Sequence, residues 1–358
     1  MKSLIYTGLL ILISQFSFSQ VDNYQKNKLA SETEDALYKK ALEEDPNSAK
    51  PHWEHANRMA EFTFNAYKNA WKFYNKALEI DSTNAKIYED YGDYLFNKYD
   101  AIDEAKVIYE KGLAYSSDGK SLNGKIKTVN EVIEKRDENT RLRSFGTTLT
   151  KEIKHDYLYS NITNFDSLKL IVTDKKSKYF YQNLLDKFMN DKSLNEYETY
   201  LLLIGFTQTD DYNPYNYNDL DNLYEIANSG EYVDAINKGK ELLKTNPLNP
   251  TLSQELMYCY RKTGNTKMAV KYKNRIQQVF NAMIYTGDGT CEKPYVTFWI
   301  KEEYNFAQYI GLSPTGQYST AMCSGGMADK LEVYNQETKE KELIHFNIMP
   351  IFKKTMGK

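Results

Sequence analysis

The sequence predicts a mostly α protein: a helix-turn-helix solenoid, then a helical-repeat domain that ends in a small antiparallel β-sheet. Three observations carry this. One phrase is written three times, as Tyr38-Lys39-Lys40-Ala41-Leu42, Tyr74-Asn75-Lys76-Ala77-Leu78 and Tyr109-Glu110-Lys111-Gly112-Leu113, at steps of 36 and 35 residues. A tyrosine, a small residue three places on and a leucine beside it make a helix face that packs closely on a neighbour, and this period marks stacked helical pairs. Further along, Gly230, Ala235 and Ile236 recur as Gly264, Ala269 and Val270, a step of 34. Beyond residue 285 helical spacing gives way to alternation, with Val296, Phe298 and Ile300 on one face and Thr297 and Trp299 on the other.

Composition narrows the function classes. A net charge of −3 leaves no basic excess to meet a phosphate backbone, so nucleic acid is not expected as a partner. The 31 tyrosines suit helix interfaces, where an apolar ring with a polar tip is useful. Residues 1–19 read as a signal peptide: Lys2, the apolar Leu9-Leu10-Ile11-Leu12-Ile13, and small residues at Ser17 and Ser19, with cleavage before Gln20. The apolar run is too short to span a bilayer. Gln20, not a cysteine, stands directly after the site, which disfavours a lipid anchor, and no later stretch is apolar enough for a membrane helix, so the expectation is an exported protein, periplasmic or secreted, without membrane insertion. The Ser17-Phe18-Ser19-Gln20 exit resembles that of exported Bacteroidetes proteins.

Residues 31–142 form the first predicted domain. A helix over 33–44 precedes Pro46, and helical pairs follow at 50–64 with 66–80 and at 84–97 with 101–115. Tyr88, Tyr91, Gly92, Leu95, Ala105, Tyr109 and Gly112 fall where two helices of a unit must interlock. The pattern resembles the tetratricopeptide repeat. In the first pair the small position falls on Ala56 or Asn57, because the period is 36 in one helix and 35 in the next. A charged helix over 121–140, with Ile126, Val129, Val132 and Ile133 on one face, reads as the cap of the open end. The resemblance implies that the first helix of each pair lines a concave groove. Its candidate partner-binding residues are Trp53, Asn57, Glu89, Asp93 and Phe96, with Ala60 beside them. Glu89 and Asp93 have the wrong charge to grip a carboxylate, so the groove should take a neutral or basic protein or peptide segment.

Periodicity fades over a linker at 143–164. Helices resume at 166–173, 176–190 and 194–206, and an acidic aromatic loop runs from Asp210 to Asn218. The second repeat region supplies helices at 218–228, 231–245, 250–263 and 266–284. Asn246-Pro247-Leu248-Asn249-Pro250 separates the middle two, its prolines ending one helix and starting the next. Leu242, Leu243, Leu256, Val279 and Phe280 are core candidates. The helical part of this domain thus covers 165–284 and a small α+β part covers 285–358. The latter has a strand near 296–300, a short helix at 302–310 with Glu302 and Glu303 in its first turn, and strands at 317–323, 329–335 and 342–349. Residues from about 166 to 348 resemble an exported Bacteroidetes domain of unknown function, family four-nine-one-nine. The carriers are Asn213-Pro214-Tyr215, Asn246-Pro247, Gly264-Asn265, Gly287-Asp288-Gly289-Thr290, Glu302-Glu303-Tyr304, Gly311-Leu312 and Phe346-Asn347-Ile348. Thr286 stands where the family pattern suggests Ser. The resemblance implies no known activity.

Candidate chemistry is sparse. Asp288 with Glu302 and Glu303 would be the acid–base pair of a hydrolase, but a Gly-Asp-Gly run is also an ordinary tight turn. The 210–221 loop is rich in oxygen ligands yet lacks the glycine and distal glutamate of an EF-hand loop. His52 and His55 lie three apart without a third ligand, so no metal is expected. No Walker loop, dinucleotide fingerprint or Ser-His-Asp order points to a cofactor. Of three cysteines, Cys259 reads as a small buried hydrophobe. Cys291 and Cys323 offer a disulfide that would contribute on the order of 3–4 kcal/mol, and the sequence leaves that pairing open. The leading expectation is a non-catalytic adaptor. The alternatives are an envelope hydrolase using the carboxylates above, or a glycan-binding module presenting Tyr212, Tyr215 and Tyr217.

Overall fold

The computed structural model describes residues 33–61, 66–99, 101–144, 159–215, 217–323, 325–336 and 338–356. The signal peptide, most of the 143–164 linker and Ser324 lie outside them. The chain divides into two units, Met1–Glu138 and Asn139–Lys358.

The first unit is built of antiparallel helices: α1 over 33–44, α2 (Ala49–Glu61), α3 (Ala70–Ile80), α4 (Ala85–Asn97), α5 (Ile102–Leu113) and the start of α6 (Lys120–Arg143). A short 3-10 helix, Ala66–Asn69, leads into α3. Asn84 caps α4 by accepting from Lys86 N. The repeated phrase is buried as its pattern requires: Tyr74 and Tyr109 are each 1% exposed and Ala77 is sealed. Ala56 is fully buried and takes the small position. Asn57 turns aside, and its Oδ1 accepts from Tyr74 Oη at 2.7 Å. Tyr109 makes the matching bond one repeat later, donating to Asp93 Oδ1 at 2.7 Å.

The far side of α2 meets α1 through a histidine pair, His52 and His55, 3% and 1% exposed. Tyr38 stacks on His55 with ring centroids 4.2 Å apart, and its Oη lies 2.6 Å from His52 Nδ1. Burial pushes both imidazoles below the usual histidine range. Lys76 and the neighbouring His55 add to this at His52, while Glu34 opposes it at His55. A depressed histidine stabilises fully above its ordinary value of 6.5 and loses that contribution as pH falls through the folded value. Amide protection in α1 and α2, corrected for intrinsic exchange, should therefore decline as pH falls from 6.5 through the folded value. The decline should flatten in His52→Gln/His55→Gln. Protection that does not change with pH would contradict this account.

In the second unit, α6 ends and a short α7 (Tyr159–Ile162) precedes α8 (Phe165–Thr173), α9 (Tyr181–Met189) and α10 (Glu196–Phe206). The start of α10 is fixed by a capping box between Asn195 and Glu198. From Thr199 to Phe206 every residue of it is buried, so it is a central helix without a solvent face. Two helical hairpins follow: α11 (Asn218–Ser229) with α12 (Tyr232–Thr245), and α13 (Pro250–Lys262) with α14 (Thr266–Tyr285). Gly230 and Gly264 sit at equivalent turns with φ of 92° and 73°, which is why glycine recurs there. Asn249 caps α13 with Pro250 in its first turn.

The small sheet contains β1 (Tyr295–Val296), β2 (Leu312–Ala321), β3 (Met327–Asn335) and β4 (Lys341–Asn347), in the order β1-β4-β3-β2. It is mixed rather than wholly antiparallel: β2–β3 and β3–β4 are hairpins, but β1 pairs parallel to β4. A long connection returns to β1, so no tight turn constrains its direction. The expected 296–300 strand shrinks to two residues because Phe298 and Trp299 are both buried, 1% and 2% exposed. Alternation cannot continue through two consecutive core side chains. The register of β2 shifts between Pro314 and Gly316, where proline withholds a ladder donor. The last strand stops at Asn347, whose Oδ1 accepts from Met349 N, and α16 (Met349–Met356) follows where the sequence suggested more strand. Between β1 and β2, α15 (Glu302–Tyr309) lays Phe306 and Ala307 against Leu331, Val333, Ile344 and Phe346 in one core. No helix among the described residues is long and apolar enough to cross a membrane.

Candidate functional site

The first helices of successive units, α2, α4 and α6, place one side chain of each in equivalent register: Trp53, Glu89 and Lys125, at steps of 36. The next turn repeats the pattern with Asn57 and Asp93. Trp53 Nε1 donates to Asp90 Oδ2 at 3.0 Å, and Asn57 Nδ2 donates to the same oxygen at 3.1 Å. Lys125 Nζ donates to both oxygens of Asp93, at 2.6 and 2.7 Å, and lies 3.6 Å from Glu89. Ser121 donates to Glu89, and Lys86 lies 2.9 Å from Asp90. These bonds form a continuous polar row across three helices. Burial pushes the Tyr74 and Tyr109 phenols upward, with Asp90 and Asp93 adding to it, so both remain donors to the row.

Beside the row is a cavity of about 330 Å³ lined by Asn57, Ala60, Glu61, Tyr74, Asp90, Asp93, Tyr94, Asn97 and Lys98. Of the expected groove residues, Asn57 and Asp93 line the cavity with Ala60, and Trp53 and Glu89 belong to the polar row. Trp53 and Phe96 both pack against the apolar core of the unit. Asp90 and Lys125 escaped the sequence reading. The step of 36 from Glu89 would have found Lys125, but the cap helix carries no other repeat signature. Glu89 and Asp93 are not free charges: lysines of the same unit neutralise them.

The carboxylates proposed from the C-terminal sequence do not converge. Asp288 closes its own turn, accepting from Thr290 N at 3.0 Å and Thr290 Oγ1 at 2.7 Å. Glu302 is 1% exposed and accepts from Thr251 N and Asn305 Nδ2. Glu303 is fully buried and accepts from Gln317. A disulfide joins Cys291 to Cys323, and Cys259 is free and buried. Tyr212, expected on an exposed aromatic surface, is 2% exposed and donates to Phe298 O at 2.6 Å. Only Tyr215 of that trio is open, at 53%. Aromatic content in a loop did not distinguish a ring anchoring the loop from one presented to a ligand. Among the described residues no three His, Cys, Asp or Glu side chains form a metal-binding group.

A family profile described as a domain of unknown function (DUF4919) matches residues 166–357, more than half of the chain. The chain belongs to this family. In this DUF4919 protein the match covers α8 through α16, the helical hairpins and the sheet alike. No curated protein matches. Among solved structures, the chain is similar to YrrB, described as a TPR protein with an unusual peptide-binding site. That match has 18% identity, covers 70% of this chain and 95% of the other, and has a TM-score of 0.23. It is also similar to the TPR domain of P58(IPK), with 16% identity, 79% and 88% coverage and a TM-score of 0.27. Within this chain the repeat shows in the matched bonds of Tyr74 to Asn57 and Tyr109 to Asp93.

Proposed function

We infer that this DUF4919 protein is an exported, non-catalytic adaptor that binds a protein or peptide segment in the cell envelope through the groove of its first helical unit. The observation that supports the reading most directly is the polar row presented by α2, α4 and α6 beside an open cavity. A surface of paired side chains with fixed positions suits recognition of an extended segment better than a smooth apolar face would. With Asp90 paired to Lys86 and Asp93 to Lys125, the charged lining left over is Glu61 and Lys98, a balance that suits a neutral segment. In the second unit, the burial of Glu302 and Glu303 and the self-contained turn of Asp288 favour structural use of all three.

The structure also chooses the test. Charge reversal at Glu89 or Asp93 would break the internal lysine pairing, so loss of binding would be uninformative. Glu61→Lys/Asn97→Lys alters the cavity rim at two exposed positions and should change stability by no more than about 0.5 kcal/mol. Crosslinked pull-downs from the native envelope, with tagged wild type beside this variant, should yield a protein recovered only by the wild type. That protein, once purified, should bind wild-type chain directly and lose at least tenfold affinity for the variant. Equal recovery by both baits would remove the groove from the function.

A further inference from the structure

The core face of the small sheet carries an acid. On β3, Asp329 alternates onto the same face as Leu331 and Val333, and it is 4% exposed. Glu303, in the first turn of α15, lies against it and is 0% exposed. One nitrogen bridges them: Gln317 Nε2, from β2, is 2.9 Å from Glu303 Oε2 and 3.3 Å from Asp329 Oδ2. Those two oxygens are thus at most about 6 Å apart. The second oxygen of each carboxyl, Glu303 Oε1 and Asp329 Oδ1, is buried and meets no donor among the described residues.

Among the described residues no cation answers the two acids. Lys301, at the start of α15, is on Asp221 at 2.7 Å. Lys330, beside Asp329 in the chain, lies over the Tyr318 ring on the opposite face. Arg143, which meets α13 beneath α15, is occupied by Glu255. Glu302 turns to Thr251 and Asn305. Tyr217, raised chiefly by burial, also senses the charge of both Glu302 and Glu303. Two ionised carboxylates, buried and unanswered at this spacing, would repel each other without solvent to screen them. Neutralising one of them converts an orphan acceptor into a donor and satisfies the other in the same step.

We propose that Glu303 is held as the neutral acid and donates its proton to Asp329, forming with Gln317 a proton-dependent clasp that fastens α15 to the sheet. Burial, with the Asp329 charge beside it, pushes the Glu303 carboxyl well above the usual carboxylate range, in keeping with that arrangement. The unfolded chain releases this proton as pH rises through the ordinary value of 4.5, whereas the folded chain keeps it. The contribution is therefore complete below 4.5, shrinks as pH rises and is gone once the folded acid ionises. Ionisation sends the proton to solvent and leaves two carboxylates facing each other, which loosens α15 at alkaline pH.

The test is a side-chain carboxyl ¹³C NMR titration of the assigned full-length protein. The Glu303 Cδ signal should remain at its protonated position through neutral pH, and an ionised Glu303 there would overturn the proposal. Glu303→Gln keeps a donor for Asp329 and removes the titration. It should hold the fold and flatten the alkaline decline of the melting temperature, and an unchanged pH slope would count against the clasp. If the variant does not fold, the wild-type titration still decides. Added Ca²⁺ or Mg²⁺ should leave the wild-type melting temperature unmoved. A rise that Glu303→Gln abolishes would assign the pair to a cation instead.

Discussion

Gly92→Ala is expected to destabilise the first helical unit by about 1–3 kcal/mol, although alanine is the better helix former. A Cβ at residue 92 would lie 2.2 Å from Tyr109 Cε1, 2.5 Å from Cδ1 and 2.8 Å from Cζ. The ring cannot easily retreat. It is 1% exposed, and its hydroxyl is tied to Asp93, one residue along on the same helix as the glycine. Relief therefore means parting α4 from α5 or giving up a bond in the polar row. The sign should reverse when the ring is removed. In a Tyr109→Ala background the same Gly92→Ala change has room, and it should stabilise by roughly the 0.8–1 kcal/mol that separates glycine from alanine in a helix interior. Denaturant melts of the four proteins measure this coupling. A Gly92→Ala chain as stable as wild type would show that the interlock does not depend on contact with the ring.

That prediction rests on a part of the fold that was legible in the sequence. Tyr74, Tyr109, Ala77 and Gly92 announce close helix packing because the residue types themselves encode the spacing. The recurrence of glycine at 230 and 264 was readable for the same local reason. Nothing local tells Ala56 from Asn57 as the small position; the bond from Tyr74 decides it. The candidate groove was half legible. Trp53, Asn57, Glu89 and Asp93 fall on it by period, but what neutralises their charge comes from Lys86 and Lys125, and the latter is a helix and a loop away. Glu303 was visible as a first-turn acid, the ordinary place for a carboxylate at a helix start. Its partners, Asp329 and Gln317, are brought beside it by strand register, which no residue near 303 specifies. Tyr212 failed in the opposite direction, because a tyrosine has the same composition whether its ring is buried or offered.

Removing the Glu255 side chain should cost more than any other single change considered for the second unit, about 3–5 kcal/mol in Glu255→Ala. Glu255 lies inside α13 at 3% exposure and receives Arg143 in a bidentate clasp: Nε to Oε1 at 2.8 Å, and the neighbouring guanidinium nitrogen to Oε2 at 3.0 Å. The guanidinium carbon sits 3.8 Å from the Tyr258 ring centroid and 4.6 Å from that of Tyr224. Without the carboxylate, Arg143 keeps the two rings and the Asn228 oxygen, but its charge is no longer neutralised in a largely buried site. Breaking the pair strands a charge, whereas replacing it removes the cost of burying both. Burial pushes the Glu255 carboxyl up even with Arg143 bonded to it, while at Arg143 burial is outweighed by the bonds to Glu255, which raise the guanidinium above its ordinary value. Breaking the pair and replacing it should therefore give opposite results. Arg143→Met/Glu255→Leu fills the same space without charge and is expected to melt at or above the wild-type temperature, while either single change at these positions melts well below it. If the double variant proved as unstable as Glu255→Ala, the ion pair would be a net stabiliser, and the raised carboxyl would need another cause.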